Sequence, residues 1–289
     1  MTAAMPMTPV PNSSGTTRPR TRAPQHACDS HIHIYDPRFP MKSPELRAVA
    51  NASVNEYRLL QERNGTSRVV IVQPAAYGTD NAVTLDAVAQ LGQENARGVA
   101  VIHPGVTDTE LVAMNKGGIR FSQHDPRTAV TTADMIEPLA VRVHRLGWHV
   151  QLHLRADQIV EMAEVIARLP ATLVFDHMGR MPQPEGIRHP AFDIVRRFLD
   201  GGRAWVKLSG PYLDTKAGAP RYEDVMPVAR ALAEHAPQRC VWGTDWPHPT
   251  EPNVKPDDAA LFDLLQAWAP DENARHGILV ANPAALYGF

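Results

Sequence analysis

Two histidines set two residues apart, in the run Cys28-Asp29-Ser30-His31-Ile32-His33-Ile34-Tyr35, are the residues of this chain best placed to do chemistry. Side chains on a strand alternate faces with period two, so His31 and His33 point the same way. Two imidazoles on one face fill a core poorly, but they suit a metal ion or a reacting carbonyl. Near the other end of the chain, Val241-Trp242-Gly243-Thr244-Asp245-Trp246-Pro247-His248 sets a carboxylate just past another apolar run. Two further runs end in histidine: Val150-Gln151-Leu152-His153 and Leu173-Val174-Phe175-Asp176-His177.

These residues fit two chemistries. His31, His33, His153 and Asp245 make one candidate Zn²⁺ site with a position left for water, and His177 stands by to bond that water. Without a metal, Asp245 takes a proton from water while His31, His33 and His177 polarise the carbonyl under attack. His153 divides the two readings, as a fourth ligand or as pocket wall. Asp29 shares the face of His31 and is a candidate to orient it. Asp176 alternates away from His177, so bonding to neighbouring backbone or helix is expected of it. Arg120, Arg127, Arg155, Arg180 and Lys207 fall at or after strand ends, and this many cations predicts an anionic, carboxylated substrate. Gln73, Tyr77 and Thr79 follow the second strand and are candidate hydrogen-bond donors to the same ligand. His248, which ends the Asp245 run, joins Arg120, Arg180, Arg127, Tyr77 and Gln73 as an expected substrate contact.

Something must bring these positions together. Apolar runs predict strands at 27–34, 68–74, 98–103, 117–122, 148–154, 172–177, 204–209 and 239–244, several of them continuous enough to be covered on both faces. Helical spacing predicts helices at 81–93, 132–146, 157–169, 224–235 and 257–268. Thr132, Asp134 and Asp157 are candidate caps, with Gly147 and Pro170 as stops. Eight strands alternating with helices is the count of a single-domain (β/α)₈ barrel over 26–289. A doubly wound sheet would want a Gly-x-Gly-x-x-Gly turn after its first strand, and none is there. In a barrel, active sites occupy the C-terminal ends of the strands, where the singled-out side chains of strands one, five, six and eight fall.

The chain has 289 residues, a formal net charge of −2, 44% hydrophobic and 21% charged residues, which excludes a disordered or strongly basic protein. No nucleic acid or membrane partner is expected, and no apolar run reaches the roughly 18 residues of a membrane span. Residues 1–25, rich in Pro, Thr, Ser and Arg, are expected to be a disordered tail. Arg18, Arg20 and Arg22 raise the question of a targeting signal, but no apolar stretch follows them, so a cytoplasmic enzyme is expected. Cys28 and Cys240 are too few for a disulfide framework and each starts a predicted strand, as small core residues do.

His31-Ile32-His33, Asp176-His177-Met178-Gly179-Arg180 and Trp242-Gly243-Thr244-Asp245-Trp246-Pro247-His248-Pro249 resemble the amidohydrolase superfamily. Val70-Ile71-Val72-Gln73 and Gly78-Thr79-Asp80-Asn81 are similar to its branch of 2-pyrone-4,6-dicarboxylate lactonase-like hydrolases. The resemblance implies a distorted (β/α)₈ barrel that opens a small anionic lactone, such as a pyrone dicarboxylate, a muconolactone or a sugar-acid lactone. It implies Asp245 as the water-activating aspartate, His31, His33 and His177 as carbonyl-polarising histidines, and Arg120 and Arg180 as carboxylate-binding arginines. That lactonase branch has a tyrosine at the position of His153 and works without metal, whereas other branches carry a metal-ligating histidine there. The alternatives are an aldarolactone isomerase or a Zn-dependent decarboxylase of the same superfamily. From another class comes a non-catalytic barrel that binds a dicarboxylate. Monomer and homo-oligomer both remain open.

Overall fold

In a computed structural model, which describes residues 7–42, 46, 49–114, 117–125 and 129–289, each of the eight apolar runs is a strand. They are β1 Cys28–Ile32, β2 Arg68–Val72, β3 Ala96–Ala100, β4 Gly117–Ser122, β5 His149–His153, β6 Leu173–Phe175, β7 Ala204–Leu208 and β8 Cys240–Trp242. All pair in parallel and in chain order. The barrel is nearly closed by the chain just past β8, where the Asp245 N–H donates to the His31 carbonyl and the His33 N–H to the Trp246 carbonyl, both at 2.8 Å. Gly243 permits this seam: a Cβ there would lie 2.7 Å from the His31 nitrogen and 2.8 Å from its Cβ. Asp29 clasps the same seam, accepting from the Thr244 N–H at 2.9 Å and the Thr244 hydroxyl at 2.7 Å. The ring of His31 is therefore not what Asp29 holds.

β3 starts two residues earlier than expected and ends at Ala100. The side-chain amide of Asn81 takes over both backbone groups of Val101, which removes them from the ladder. The helices are α1 Val54–Asn64, α2 Ala82–Leu91, α3 Asp108–Ala113, α4 Ile136–His144, α5 Ala156–Glu161, α6 Ala163–Arg168, α7 Pro190–Asp200, α8 Met226–His235, α9 Asp258–Trp268, α10 Glu272–His276 and α11 Asn282–Tyr287. The helix expected over 132–146 opens as a 3₁₀ turn, Ala133–Met135, before α4. The one expected over 157–169 breaks at Met162, and its first cap lies upstream, where the Gln158 side chain accepts from the Arg155 N–H. α1, α3, α7, α10 and α11 were not anticipated.

The N-terminal end of the barrel has an apolar floor. Cys28, Val70, Val72 and Val99 meet Tyr287 and Leu286 there, and Leu286 also packs on Val174, Trp205 and Val241. Burial of such a cluster contributes about 25 cal/mol per Å² of apolar surface removed from water. Above that floor the interior turns polar, and this is where the site lies. Residues 7–25, expected to be a loose tail, are anchored. Buried Arg63 of α1 donates to the Thr17 carbonyl at 2.9 Å and the Ser14 carbonyl at 3.0 Å, and the Trp246 indole donates to the Pro11 carbonyl at 2.8 Å. A buried guanidinium needs acceptors, and this Pro-rich segment, which forms no helix or strand, supplies its own carbonyls.

Candidate active site

The barrel brings the singled-out residues to one mouth. His31 comes from β1 and His33 follows it; Arg120 lies in β4, His153 ends β5, Asp176 and His177 follow β6, Lys207 lies in β7, and Asp245 follows β8. Asp245 Oδ1 is 3.5 Å from His31 Nε2 and 3.4 Å from His33 Nε2. The ring of His177 lies 4.7 Å from that of His31 and 5.1 Å from that of His153, centroid to centroid. The other Asp245 oxygen accepts from the Tyr212 hydroxyl at 2.6 Å. His177, Met178 and Arg180 all have positive φ, and so does Asp245, the backbone of tight turns that lift side chains off a strand end. Gly210 shares this trait, and a Cβ on it would come within 2.9 Å of His177 Nδ1.

Asp176 corrects an expectation. It points into the barrel, where one oxygen accepts from Arg120 Nε at 2.9 Å and Gln151 Nε2 at 3.0 Å. Its other oxygen lies 3.5 Å from His31 Nδ1 and 3.7 Å from the ammonium of buried Lys207. Alternation failed as a guide because the strand has ended: His177 turns at φ 48°, so both neighbours reach the site.

The charges follow from this packing. Burial raises the Asp245 carboxyl, but the imidazoles of His177, His33 and His31 outweigh it and hold the group well below the carboxylate range. Burial also raises Asp176, and Arg120, His31 and Lys207 outweigh it in the same sense. Burial, then the neighbouring Lys207, pushes His31 well below an ordinary imidazole, and burial brings His177 down to about 4. Lys207 is lowered by burial to about 8. Burial and the Asp245 charge keep the Tyr212 phenol protonated, so it is a donor.

His33 Nδ1 lies 2.8 Å from the Val72 carbonyl, which only accepts, so its Nε2 presents a lone pair toward Asp245. His31 Nε2 is buried with no partner. Three atoms of His31, His33 and Asp245 thus converge, and among the described residues this group and the group His31, Asp176, His177 have the spacing to hold a metal ion. The donor set fits a divalent cation. His153, open between fourth ligand and pocket wall, does not join either group. Arg120 Nη2 at 2.9 Å and Ser122 Oγ at 3.0 Å cover its Nδ1, and Arg180 Nη1 at 3.1 Å covers its Nε2. A guanidinium only donates, so neither ring nitrogen is open to a metal.

His153 is instead the centre of a donor-rich wall. Arg120 and Arg180 bracket it edge to edge and His124 stacks on it at 3.9 Å. Each arginine has a carboxylate of its own, Asp176 for Arg120 and Asp214, held at two points, for Arg180. Other expected contacts lie elsewhere. The Tyr77 hydroxyl is spent on the backbone of Asp36, at 3.0 and 3.2 Å. Gln73 ties down the loop after β2, bonding the Asp80 carbonyl at 2.8 Å and the Thr84 hydroxyl at 2.6 Å. His248 is wholly buried behind Asp245, between Tyr212 and Asp258. Arg155 is turned to the Asp157 side chain, and Arg127 lies outside the described residues. Sequence reasoning missed Ser122, His124, Tyr212, Asp214 and Ser209, whose hydroxyl lies 2.9 Å from His177 Nδ1. Their only signal was position, at the end of β4 and in the segments that follow β4 and β7 at the mouth.

The family model described as Amidohydrolase matches residues 28–289. The chain is 34% identical to a 4-sulfomuconolactone hydrolase of Rhizobium radiobacter, over 92% of this chain and 91% of the relative. It is 32% identical to a 2-pyrone-4,6-dicarboxylate hydrolase of Comamonas testosteroni, over 94% and 93%. It is 34% identical to a D-galactarolactone isomerase of Agrobacterium fabrum, over 94% of each. An apo crystal structure from Agrobacterium tumefaciens superposes with a TM-score of 0.87 at 31% identity, covering 96% of this chain and 98% of that one. With His31-x-His33 at the end of the first strand, Asp245 past the last and a family match spanning the whole barrel, this chain belongs to the amidohydrolase family.

Proposed function

We propose that this enzyme hydrolyses a small carboxylated lactone, with Asp245 as the base that activates water. The observation that carries the reading is the meeting of Asp245 Oδ1, His31 Nε2 and His33 Nε2 within 3.5 Å, beside the donor-rich wall around His153. Water held by Asp245 gives it a proton and adds to the lactone carbonyl carbon. His31 and His177 donate to the oxygen that gains charge, which is worth most in a buried site, while the lone pair of His33 Nε2 faces the water. Collapse breaks the ring C–O bond, the leaving oxygen takes the proton back, and the product is an open-chain acid. Arg120 and Arg180 keep N–H groups on the wall for a substrate carboxylate. Both arginines are already charge-paired, so hydrogen-bond donors rather than net positive charge select the anion.

A divalent metal held by His31, His33 and Asp245 would supply Lewis-acid polarisation at the same carbonyl. His31 is the switch between the two chemistries. When Lys207, 3.3 Å from its Nδ1, donates to that nitrogen, His31 offers an N–H at Nε2 to the substrate oxygen. When Asp176 accepts from Nδ1, a lone pair at Nε2 faces a metal. Lys207 also donates to Gln151 at 2.7 Å, and this supports the N–H form. Buried, unpaired Cys28 and Cys240 support a cytoplasmic setting.

The test is proton release from a panel of pyrone, muconolactone and aldarolactone substrates, with product identification. An open-chain acid formed by wild type and not by Asp245→Asn is the expected result. A rearranged lactone ring without proton release marks an isomerase instead, and turnover undiminished in Asp245→Asn removes the assigned role.

A further inference from the structure

Behind the reacting edge of Asp245 runs a row of hydrogen bonds that the proposed chemistry does not use. Tyr212, on the 3₁₀ turn Pro211–Leu213 that follows β7, donates to Asp245 Oδ2 at 2.6 Å, within the range of short charge-assisted bonds. With its single proton committed there, the phenol oxygen accepts from His248 Nδ1 at 2.9 Å. His248 Nε2 in turn lies 3.2 Å from each carboxylate oxygen of buried Asp258, at the start of α9.

The row is rigidly built. Gly210, in the left-handed region, and Pro211 set the turn that carries Tyr212. Lys255 donates to the Pro247 and His248 carbonyls, both at 2.8 Å, and pins the loop that carries His248. The rings of Tyr212 and His248 stand edge to face at 5.3 Å. Without Tyr212, both Asp245 oxygens would be free to turn about the Cβ–Cγ bond. With it, Oδ1 is committed to the mouth shared with His31 and His33, where water must be held in line with the carbonyl.

We infer that Tyr212 is a positioning residue that fixes the rotation of the Asp245 carboxylate, and that His248, backed by Asp258, holds the phenol in place. The inference rests on Asp245 being the group that takes the proton from water. Replacing Tyr212→Phe removes one hydroxyl and should lower kcat about 10- to 100-fold with KM within about twofold, since the substrate's carboxylate contacts are untouched. Because His248 acts through Tyr212, His248→Gln should cost less, and the double variant should be no slower than Tyr212→Phe alone.

Crystal structures of wild type and Tyr212→Phe provide a readout that needs no turnover: the Asp245 carboxylate should be turned, or split between two orientations, in the variant. A carboxylate unmoved in Tyr212→Phe overturns the inference, as does a kcat within twofold of wild type, or losses from the two variants that multiply. Should His248→Gln not fold, the Tyr212→Phe kinetics and structure decide alone. If Asp245→Asn retains activity, the proposed reaction falls, and the crystal structures still decide the positioning role.

Discussion

The two sides of the mouth are built on opposite principles. On the β1 and β8 side, acceptors outnumber donors: Asp245 Oδ1 and the lone pair of His33 face each other at 3.4 Å, with buried His31 Nε2 beside them. On the β4, β5 and β6 side, donors outnumber acceptors: two guanidiniums and a serine hydroxyl crowd the two nitrogens of His153. Buried polar groups normally pair off, so a persistent mismatch marks a place where a ligand completes the pattern. The first side lacks a proton, a water or a cation; the second lacks an anion. A lactone bearing a carboxylate answers both at once, carboxylate to the wall and carbonyl to the histidines. Asp176 couples the sides, since Arg120 holds one of its oxygens while His31 and Lys207 approach the other.

The largest effect should come from the acceptor side. Asp245→Asn keeps the shape of the seam but removes the proposed base, and kcat should fall about 10²- to 10⁴-fold. Steady-state proton release measures it, and circular dichroism should show an unchanged fold. On the donor side, Arg180→Met should raise KM for a carboxylated lactone about 10- to 100-fold, the worth of a charged hydrogen bond, and barely alter a neutral one. Equal shifts for the two substrates would mean that the wall does not read the anion. A third comparison concerns metal. If zinc binds, His33→Ala should weaken it about 10-fold or more, whereas His153→Ala should leave the affinity near wild type. Calorimetric titration of zinc into each variant checks this, and a loss in His153→Ala matching that in His33→Ala would reverse the placement of His153.

How far these sides could be read from the sequence differs as well. The eight strands were legible because each is a short apolar run bounded by polar loops, and the rim followed from their count. His31, His33, His177 and Asp245 were legible for the same reason, since every one sits at a strand's C-terminal end. The place of His153 at the end of β5 was legible too, but its role, ligand or wall, was not, because that is decided by Arg120 on β4 and Arg180 in the loop after β6, and a linear spacing carries no word of which ring edge they cover. Asp176 was misread because strict alternation presumes that the strand continues past Phe175, whereas β6 stops there. Tyr212 and Asp214 lie in a loop whose residue types are common on any surface; only the folded barrel lays Tyr212 against Asp245. Short helices such as α3, six residues long, hold too few apolar positions to show a period.

The smallest effect tests what the two sides share, which is histidines kept neutral by burial. His177 on the acceptor side titrates near 4, and His149, below the mouth on β5, near 3, both lowered chiefly by burial. An unfolded histidine titrates near 6.5, so between about pH 6.5 and 4 the unfolded chain binds a proton at each of these sites that the native chain does not. Stability therefore falls as pH drops through this window, by about 1.4 kcal/mol per pH unit for each histidine. His31 and His153, both held well below the ordinary imidazole range, add loss of the same sign. Asp29 opposes them: burial raises its carboxyl to about 7, so between about pH 7 and 4 the native chain holds the proton and stability is gained on acidification. One opposing group against at least two leaves a net loss of at least about 1.4 kcal/mol per pH unit. Urea midpoints at pH 6.5 and pH 5 should move downward accordingly. A midpoint that holds steady or rises at pH 5 would mean that the histidines on both sides of the mouth already carry protons in the native state, which the donors crowding His153 and the Lys207 ammonium beside His31 should forbid.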